Sequence, residues 1–186
     1  MFFETIKCDN GNVFYLNYHQ KRIINTIGLN INLSEYIYPP TRKLLKCKVI
    51  YNDNGILDVS YALYIPKDIK IFKFIFDNNI VYDKKTLQRD NINKLYNQKG
   101  IADEIIIVKN NLITDTSIAN IAIFDGSNWI TPQKPLLNGT TRNRFIDENK
   151  IIQKDITIKQ FRKAKQIALL NAMIGFKIIN NPSYIN

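Results

Sequence analysis

The chain has 186 residues, 45% apolar and 11% aromatic, which is enough to bury a core as one domain or two small ones and excludes a disordered chain. No uninterrupted apolar run approaches the roughly 18 residues a bilayer-crossing helix needs, and Met1-Phe-Phe-Glu4 lacks the basic start of a signal peptide, so a cytoplasmic protein with no membrane partner is expected. The net charge of +10 raises the question of a nucleic-acid partner, but the basic residues are scattered apart from the patch Arg162 to Lys165; no nucleic acid is expected, whereas an anionic small-molecule substrate would be drawn by the same field.

In chain order, Phe2 to Cys8 alternates like a strand, Asp9-Asn-Gly-Asn12 turns, and Val13 to Leu16 returns, so the protein opens with a hairpin. Asn17 is placed to cap a helix carrying His19, Arg22, Ile23 and Ile27, which Gly28 ends. Pro39-Pro40 breaks the chain, and Leu44 to Tyr51 and Ile56 to Ile65 form a second hairpin across Asn52-Asp-Asn-Gly55. Ile69 to Phe76 alternates apolar residues with Lys70 and Lys73, which adds it to the same antiparallel sheet. The expected fold class is α+β in two small domains: residues 1–82, a linker over 83–88, and residues 89–186.

The linker holds Asp83-Lys-Lys-Thr-Leu-Gln-Arg89, and a helix from Arg89 to Gln98 follows it and stops at Gly100. Such a hinge is a common place for a pocket. Glu104 to Val108 is an apolar strand, Asn110-Asn111 turns the chain, and Ile121 to Phe124 enters a second turn at Asp125-Gly126 before Trp129 and Ile130. Between these strands lies Asp115-Thr-Ser-Ile-Ala-Asn120, too polar for a core strand and suited to a sheet edge facing a cavity. Leu136-Leu-Asn-Gly-Thr-Thr-Arg142 then starts a helix, whose first N–H groups, with the hydroxyls of Thr140 and Thr141, form an end suited to phosphate.

Thr157 and Gln160 make a capping box for a helix reaching Gln166, and Ile167 to Asn171 and Phe176 to Ile179 read as the last pair of strands. Cys8 and Cys47 stand in apolar runs without C-x-x-C spacing, which points to buried free thiols. His19 is the only histidine, so no metal site is expected, and the residue is taken as structural. All seven glycines fall at turns or element ends, leaving none for a G-x-G-x-x-G fingerprint or a P-loop.

An acid on a strand beside a phosphate cradle, with a lysine upstream, is what a pyridoxal phosphate site requires. In residue order the chain resembles the class IV aminotransferases, the family of branched-chain and D-amino acid aminotransferases and aminodeoxychorismate lyase. The resemblance covers Phe3 to Ile179 and rests on Phe3-Glu4-Thr5, His19-Gln-Lys-Arg22-Ile23, Lys85-Thr86 with Arg89, Asp115 with Asn120, Thr131-Pro132, Gly139-Thr-Thr-Arg142 and Asn171-Ala-Met-Ile-Gly175. It implies pyridoxal 5'-phosphate as cofactor, Lys85 as the Schiff-base lysine and catalytic residue, and Asp115 as partner of the ring nitrogen. It further implies Arg22, Thr140 and Thr141 at the phosphate, with Arg89, Asn120 and Asn171 completing the cofactor site, in a D-amino acid aminotransferase-like fold with a C-terminal barrel-like sheet. The chain departs from the family in its short length, in Asp115 where the family has Glu, and in Ala172 where many members carry a hydroxyl.

The activity implied is a lyase of folate biosynthesis that converts 4-amino-4-deoxychorismate to 4-aminobenzoate and pyruvate, working as a homodimer. An aminotransferase on branched-chain or D-amino acids is the alternative, and a non-catalytic or nucleic-acid-binding domain is a third reading, because fold does not fix function. Lys46 and Lys48 are weak candidates for binding a substrate carboxylate.

Overall fold

A computed structural model describes residues 1–185. The alternation of the N-terminal run becomes strand β1 (Phe2–Asp9), and left-handed Asn10 and Gly11 turn it into the short return β2 (Asn12–Val13). Helix α1 (Leu16–Ile27) begins one residue ahead of Asn17: Tyr15, held at φ 56°, is its N-cap, and no side chain caps the end. The expected cap is displaced because the chain turns through Tyr15 immediately after the hairpin, which puts Asn17 inside the first turn. Gly28 closes the helix at φ 78°, donating its N–H to the Ile24 carbonyl over 2.8 Å.

Strands β3 (Leu45–Asn52) and β4 (Gly55–Leu63) follow as the second hairpin, and the four strands lie in the order β2-β1-β3-β4, all antiparallel. Side chains of a strand point alternately to its two faces. Ile6 and Cys8 of β1, with Cys47, Val49 and Tyr51 of β3, form one core with Ile23 of α1, while Lys46 and Lys48 stand between those buried positions. Both cysteines are buried free thiols.

The chain divides into two compact units. The first comprises Met1–Pro66 with Lys84–Gln88; the second comprises Lys67–Asp83 and the chain from Arg89 onward. The segment after Asp83 pairs with the start of β1 through a bridge between Thr86 and Phe2, with the Phe3 N–H on the Lys85 carbonyl at 2.9 Å and the Leu87 N–H on the Met1 carbonyl at 3.1 Å.

Strand β5 (Ile71–Phe76) does not extend the first sheet, as its alternation led us to expect. It runs parallel to β6 (Glu104–Lys109) and belongs to the second unit. Parallel neighbours need a crossover, and helix α2 (Asp90–Tyr96) lies in the connection. The period of two in β5 fits either sheet, and the parallel pairing is non-local, so local pattern could not place it. β6 explains why Ile105 to Val108 is apolar without interruption: Ile106 and Val108 enter one core and Ile105 and Ile107 enter another, which includes Ile92 and Leu95 of α2.

β7 (Leu112–Thr116) pairs with β6, and β8 (Asn120–Phe124) with β9 (Trp129–Pro132), each antiparallel and each across its expected turn. The polar stretch expected at a cavity-facing edge is instead split: Asp115 and Thr116 lie in β7, Asn120 opens β8 as the pairing partner of Asp115, and Asp115 and Asn120 are buried. Helix α3 (Thr140–Asp147), strand β10 (Ile152–Lys154) and helix α4 (Ile158–Lys163) follow. The Thr157–Gln160 capping box is formed, but α4 ends at Ala164, because Gln166 already opens β11 (Gln166–Asn171). β12 (Gly175–Asn180) returns beside β11, and β13 (Ser183–Ile185) runs parallel to β5. The resulting nine-stranded sheet runs β10-β9-β8-β7-β6-β5-β13 and branches at β8, which also carries β11. Among the described residues, no helix is long and apolar enough to cross a membrane.

Candidate active site

Of the eight residues singled out in the sequence, Arg22 and Lys85 belong to the first unit. Arg89, Asp115, Asn120, Thr140, Thr141 and Asn171 belong to the second.

In the first unit the organising group is Glu4, fully buried on β1 and missed as a site residue. Its Oε1 accepts from Arg22 Nε at 2.8 Å, its Oε2 also accepts from Arg22 Nη2, and His19 Nδ1 lies 2.6 Å from the same Oε2. His19 and Arg22 sit three apart on α1, hence on one face, and that face meets β1. Burial pushes the Glu4 carboxyl up, but the charge of Arg22 and the hydrogen bonds from His19 and Arg22 outweigh it and hold the group at about 2. Burial drives His19 the other way, below its ordinary value, against the pull of Glu4 and with the charges of Arg22 and Lys85 adding to it. Lys85 Nζ lies 4.6 Å from the centroid of the Phe3 ring, next to Glu4 on β1. The F-E pair and the H-x-x-R spacing thus describe one buried cluster. Its signal in the sequence was a glutamate on an alternating strand at a position with the parity of Ile6 and Cys8.

In the second unit the hub is Asn120. Its Nδ2 donates to Asp115 Oδ1 at 2.7 Å and to the Leu137 carbonyl at 2.8 Å, and the Leu137 N–H returns to Asp115 Oδ2 at 2.9 Å. A Cβ on Gly139 would lie 1.8 Å from Asn120 Oδ1, so glycine is required here by close approach and not by an unusual φ. Asn120 therefore ties the β7 carboxylate to the loop that opens α3. Asp115 is buried among neutral donors, and burial raises it to about 6, against the Leu137 N–H, the Asn120 amide and the charge of Arg142. Thr140 and Thr141, both buried, form the first turn of α3, which has no side-chain cap and no acidic residue in that turn. Its leading N–H groups have no partner within the helix. Arg142 is anchored elsewhere: it donates to the Pro132 carbonyl at 2.8 Å and Gln153 Oε1 at 3.0 Å, and reaches Thr131 Oγ1 at 3.4 Å. This gives a structural reason for the T-P pair.

Arg89 and Asn171 grip the turn between Asp115 and Asn120 by successive carbonyls. Arg89 Nη2 donates to Ser117 O at 2.5 Å, and Asn171 Nδ2 donates to Ile118 O at 3.2 Å. Asn171 Oδ1 also accepts from the N–H groups of Met173 and Ile174, closing the loop that contains Ala172. Arg89 packs over Tyr82, 5.7 Å from its centroid, and its buried Nε has no hydrogen-bond partner among the described residues. Glu104, at the start of β6, accepts from the Ser117 N–H at 3.2 Å, and burial raises its carboxyl. In the sequence it only opens an apolar strand, with no local sign of that contact.

The second unit therefore joins a buried carboxylate, an uncapped helix start and a doubly held turn. A separate cleft of about 500 Å³ in that unit is lined by Tyr82, Lys109, Thr114, Lys134 and Leu136 among others, and by none of the predicted site residues. Among the described residues there is no group of three metal-ligating side chains.

Comparison with known proteins gives the family. Residues 78–181 match the family model for amino-transferase class IV. An uncharacterized protein of Haemophilus influenzae is 34% identical over 184 residues, covering 93% of this chain and 97% of that protein. The crystal structure of a candidate 4-amino-4-deoxychorismate lyase from Haemophilus somnus superposes with a TM-score of 0.81 at 30% identity, covering 94% of this chain and 96% of that one. The short length noted in the sequence is thus shared by both Haemophilus proteins. A hypothetical aminotransferase from Mycobacterium tuberculosis, in its PLP-bound form, shares the fold at 14% identity with a TM-score of 0.76, covering 98% of this chain and 83% of that chain. By sequence and by fold, this chain belongs to the class IV aminotransferase family of enzymes.

Proposed function

We propose that the protein is a pyridoxal-phosphate-dependent lyase that converts 4-amino-4-deoxychorismate to 4-aminobenzoate and pyruvate. The observation that carries the cofactor assignment is Asp115: a buried carboxylate among neutral donors, tied through Asn120 to an uncapped helix start. The residues present fit the group. The first turn of α3 with Thr140 and Thr141 suits its phosphate, Asp115 suits a protonated ring nitrogen, and the unpartnered Nε of Arg89 suits an acceptor on its rim. When bound, the cofactor supplies an electron sink for the carbon bearing the substrate nitrogen.

The remaining chemistry falls to the chain. Lys85 is the attachment point and the base that takes the proton from that carbon. Asp115 holds a proton at the ring nitrogen, and Arg22 adds a cation for the phosphate, aimed by Glu4. The electron pair left by the proton forms the new ring double bond as the enolpyruvyl oxygen departs from the adjacent carbon. Protonation of the released enolpyruvate gives pyruvate and leaves an aromatic ring. The likeness to the Haemophilus somnus protein favours this outcome. Transamination is the second reading, because the same three residues serve it and family members include aminotransferases. Action as a homodimer is part of the proposal.

The test is a visible spectrum of the protein with pyridoxal phosphate, wild type against Lys85→Ala, followed by incubation with 4-amino-4-deoxychorismate. The expected result is visible absorption that the variant lacks, release of 4-aminobenzoate and pyruvate in equal amounts, and a loss of turnover of at least roughly 10³-fold in the variant. Turnover only of an amino acid with a 2-oxo acid would select transamination, and a colourless wild type would remove both readings.

A further inference from the structure

The face of the first sheet turned away from α1 holds Lys46 and Lys48, the two lysines the sequence offered for a substrate carboxylate. Even-numbered residues of β1 point into the core under the helix, so Phe3, Thr5 and Lys7 point the other way. The register sets Thr5 opposite Lys48 and Lys7 opposite Lys46, so three lysines and a phenylalanine share this face. The Phe3 ring, 8% exposed, carries two ammonium groups: Lys85 Nζ at 4.6 Å from its centroid and Lys48 Nζ at 5.5 Å. The two amines are therefore separated by no more than the sum of those distances.

The lysines differ in what occupies them. Lys7 pairs with Asp9 at 3.3 Å and lies over Phe14. Among the described residues, neither Lys46 nor Lys48 has an acid within ion-pair distance. Asp58 on β4, opposite Ile50, stands two residues further along the same face, and among the described residues no ion pair joins it to Lys48. A half-buried ammonium on an aromatic floor, left unneutralised beside the amine to which the reaction is assigned, is a receptor for an anion. Two residues on, Lys46 repeats the charge about 7 Å along the strand.

We propose that Lys48 binds a carboxylate of the substrate, with Lys46 as the second cation. Together they make the protein select amines that carry two carboxylates over amino acids that carry one. This rests on Lys85 being the attachment point. It assigns the substrate class by charge: a cyclic amine with a ring carboxylate and an enolpyruvyl carboxylate satisfies both cations, and a branched-chain amino acid leaves at least one of them unpaired.

The test uses the intact protein loaded with pyridoxal phosphate, comparing wild type, Lys48→Gln and Lys48→Arg. Two readouts are taken: calorimetric binding of isophthalate against benzoate, and steady-state kinetics with 4-amino-4-deoxychorismate. Wild type is expected to bind the dicarboxylate about tenfold more tightly than the monocarboxylate. Lys48→Gln should abolish that preference and raise KM about tenfold with kcat changed less than about threefold, and Lys48→Arg should restore both. Equal binding of the two ligands by wild type, or an unchanged preference in Lys48→Gln, overturns the assignment. The visible spectrum keeps the two ideas apart: failure of the cofactor reading shows as absent absorption in wild type, whereas failure of this one leaves the absorption intact and the ligand preference unmoved.

Discussion

Glu4 and Asp115 are both carboxylates on strands, both sealed from solvent, and they sit at opposite ends of the acid scale: about 2 for Glu4 and about 6 for Asp115. Burial pushes both upward, so burial is not what separates them. Glu4 has the Arg22 guanidinium on both oxygens with His19 beside it. Asp115 has an amide and a backbone N–H, with Arg142, whose Nη2 donates to Pro132 and Gln153, contributing its charge without a hydrogen bond to the carboxylate. A full charge in contact overcomes desolvation, whereas neutral dipoles only reduce it. The consequence divides along function. Glu4 is a permanent anion whose work is to hold Arg22, while Asp115 stays adjustable and can take its charge from whatever cation is placed against it, as a protonated ring nitrogen would be.

The largest effect expected from breaking this contrast is at Glu4. Glu4→Gln keeps the shape but leaves Arg22, 13% exposed, without its counter-charge. Losing one partner of a buried pair costs about 3–5 kcal/mol. Hydrogen exchange of first-unit amides should speed up accordingly. The pH sign agrees: the Glu4 carboxyl is depressed from 4.5 to about 2, so its contribution is fully present above 4.5 and is lost as pH falls through about 2. Exchange in the variant that matches wild type at neutral pH would show that the cluster does not hold the first unit together.

Asp115 should show the opposite slope. Its proton is bound more tightly in the folded chain, up to about 6 against the ordinary 3.8, so the folded state carries more protons in that window and stability falls as pH rises across it. The span corresponds to about 3 kcal/mol. Trp129, the only tryptophan, lies on β9 in the second unit and reports its unfolding by fluorescence. Urea midpoints followed at Trp129 should fall between pH 4 and 6 in wild type and lose that slope in Asp115→Asn. A slope that survives the substitution would assign it to another group, with Glu104 the first alternative.

These two carboxylates also mark where the sequence was readable. The hairpin turns, Gly28 as a helix stop and the Thr157–Gln160 box are fixed by neighbours a few residues apart, and each occurs where local chemistry placed it. Most of the second-unit constellation could be read too, because Asp115, Asn120 and the Gly139 helix start are punctuated by turns. What local pattern missed is set by distant partners. β5 joins β6 across a parallel crossover, and Glu4 looked like one more residue of an alternating strand until α1 laid Arg22 and His19 on it. Glu104 was hidden for the same reason, its partner Ser117 lying two strands' length further along the chain.

The smallest and most specific effect is expected at Gly139, which tests whether the adjustable state of Asp115 depends on Asn120. Gly139 has an ordinary helix-entry backbone, φ −70° and ψ 139°, so alanine brings no conformational strain; its methyl would instead occupy the space of Asn120 Oδ1. Asn120 must swing away, giving up its bonds to Asp115 and to the Leu137 carbonyl, at a cost of about 1–3 kcal/mol. With that amide withdrawn, one of the contacts opposing desolvation is lost, and the Asp115 carboxyl should move further up. The pH window in which Trp129 reports falling stability should therefore shift upward in Gly139→Ala, with the α3 hydroxyls untouched. A lowered midpoint without a shifted window would mean that Asn120 supports the loop but does not tune the acid.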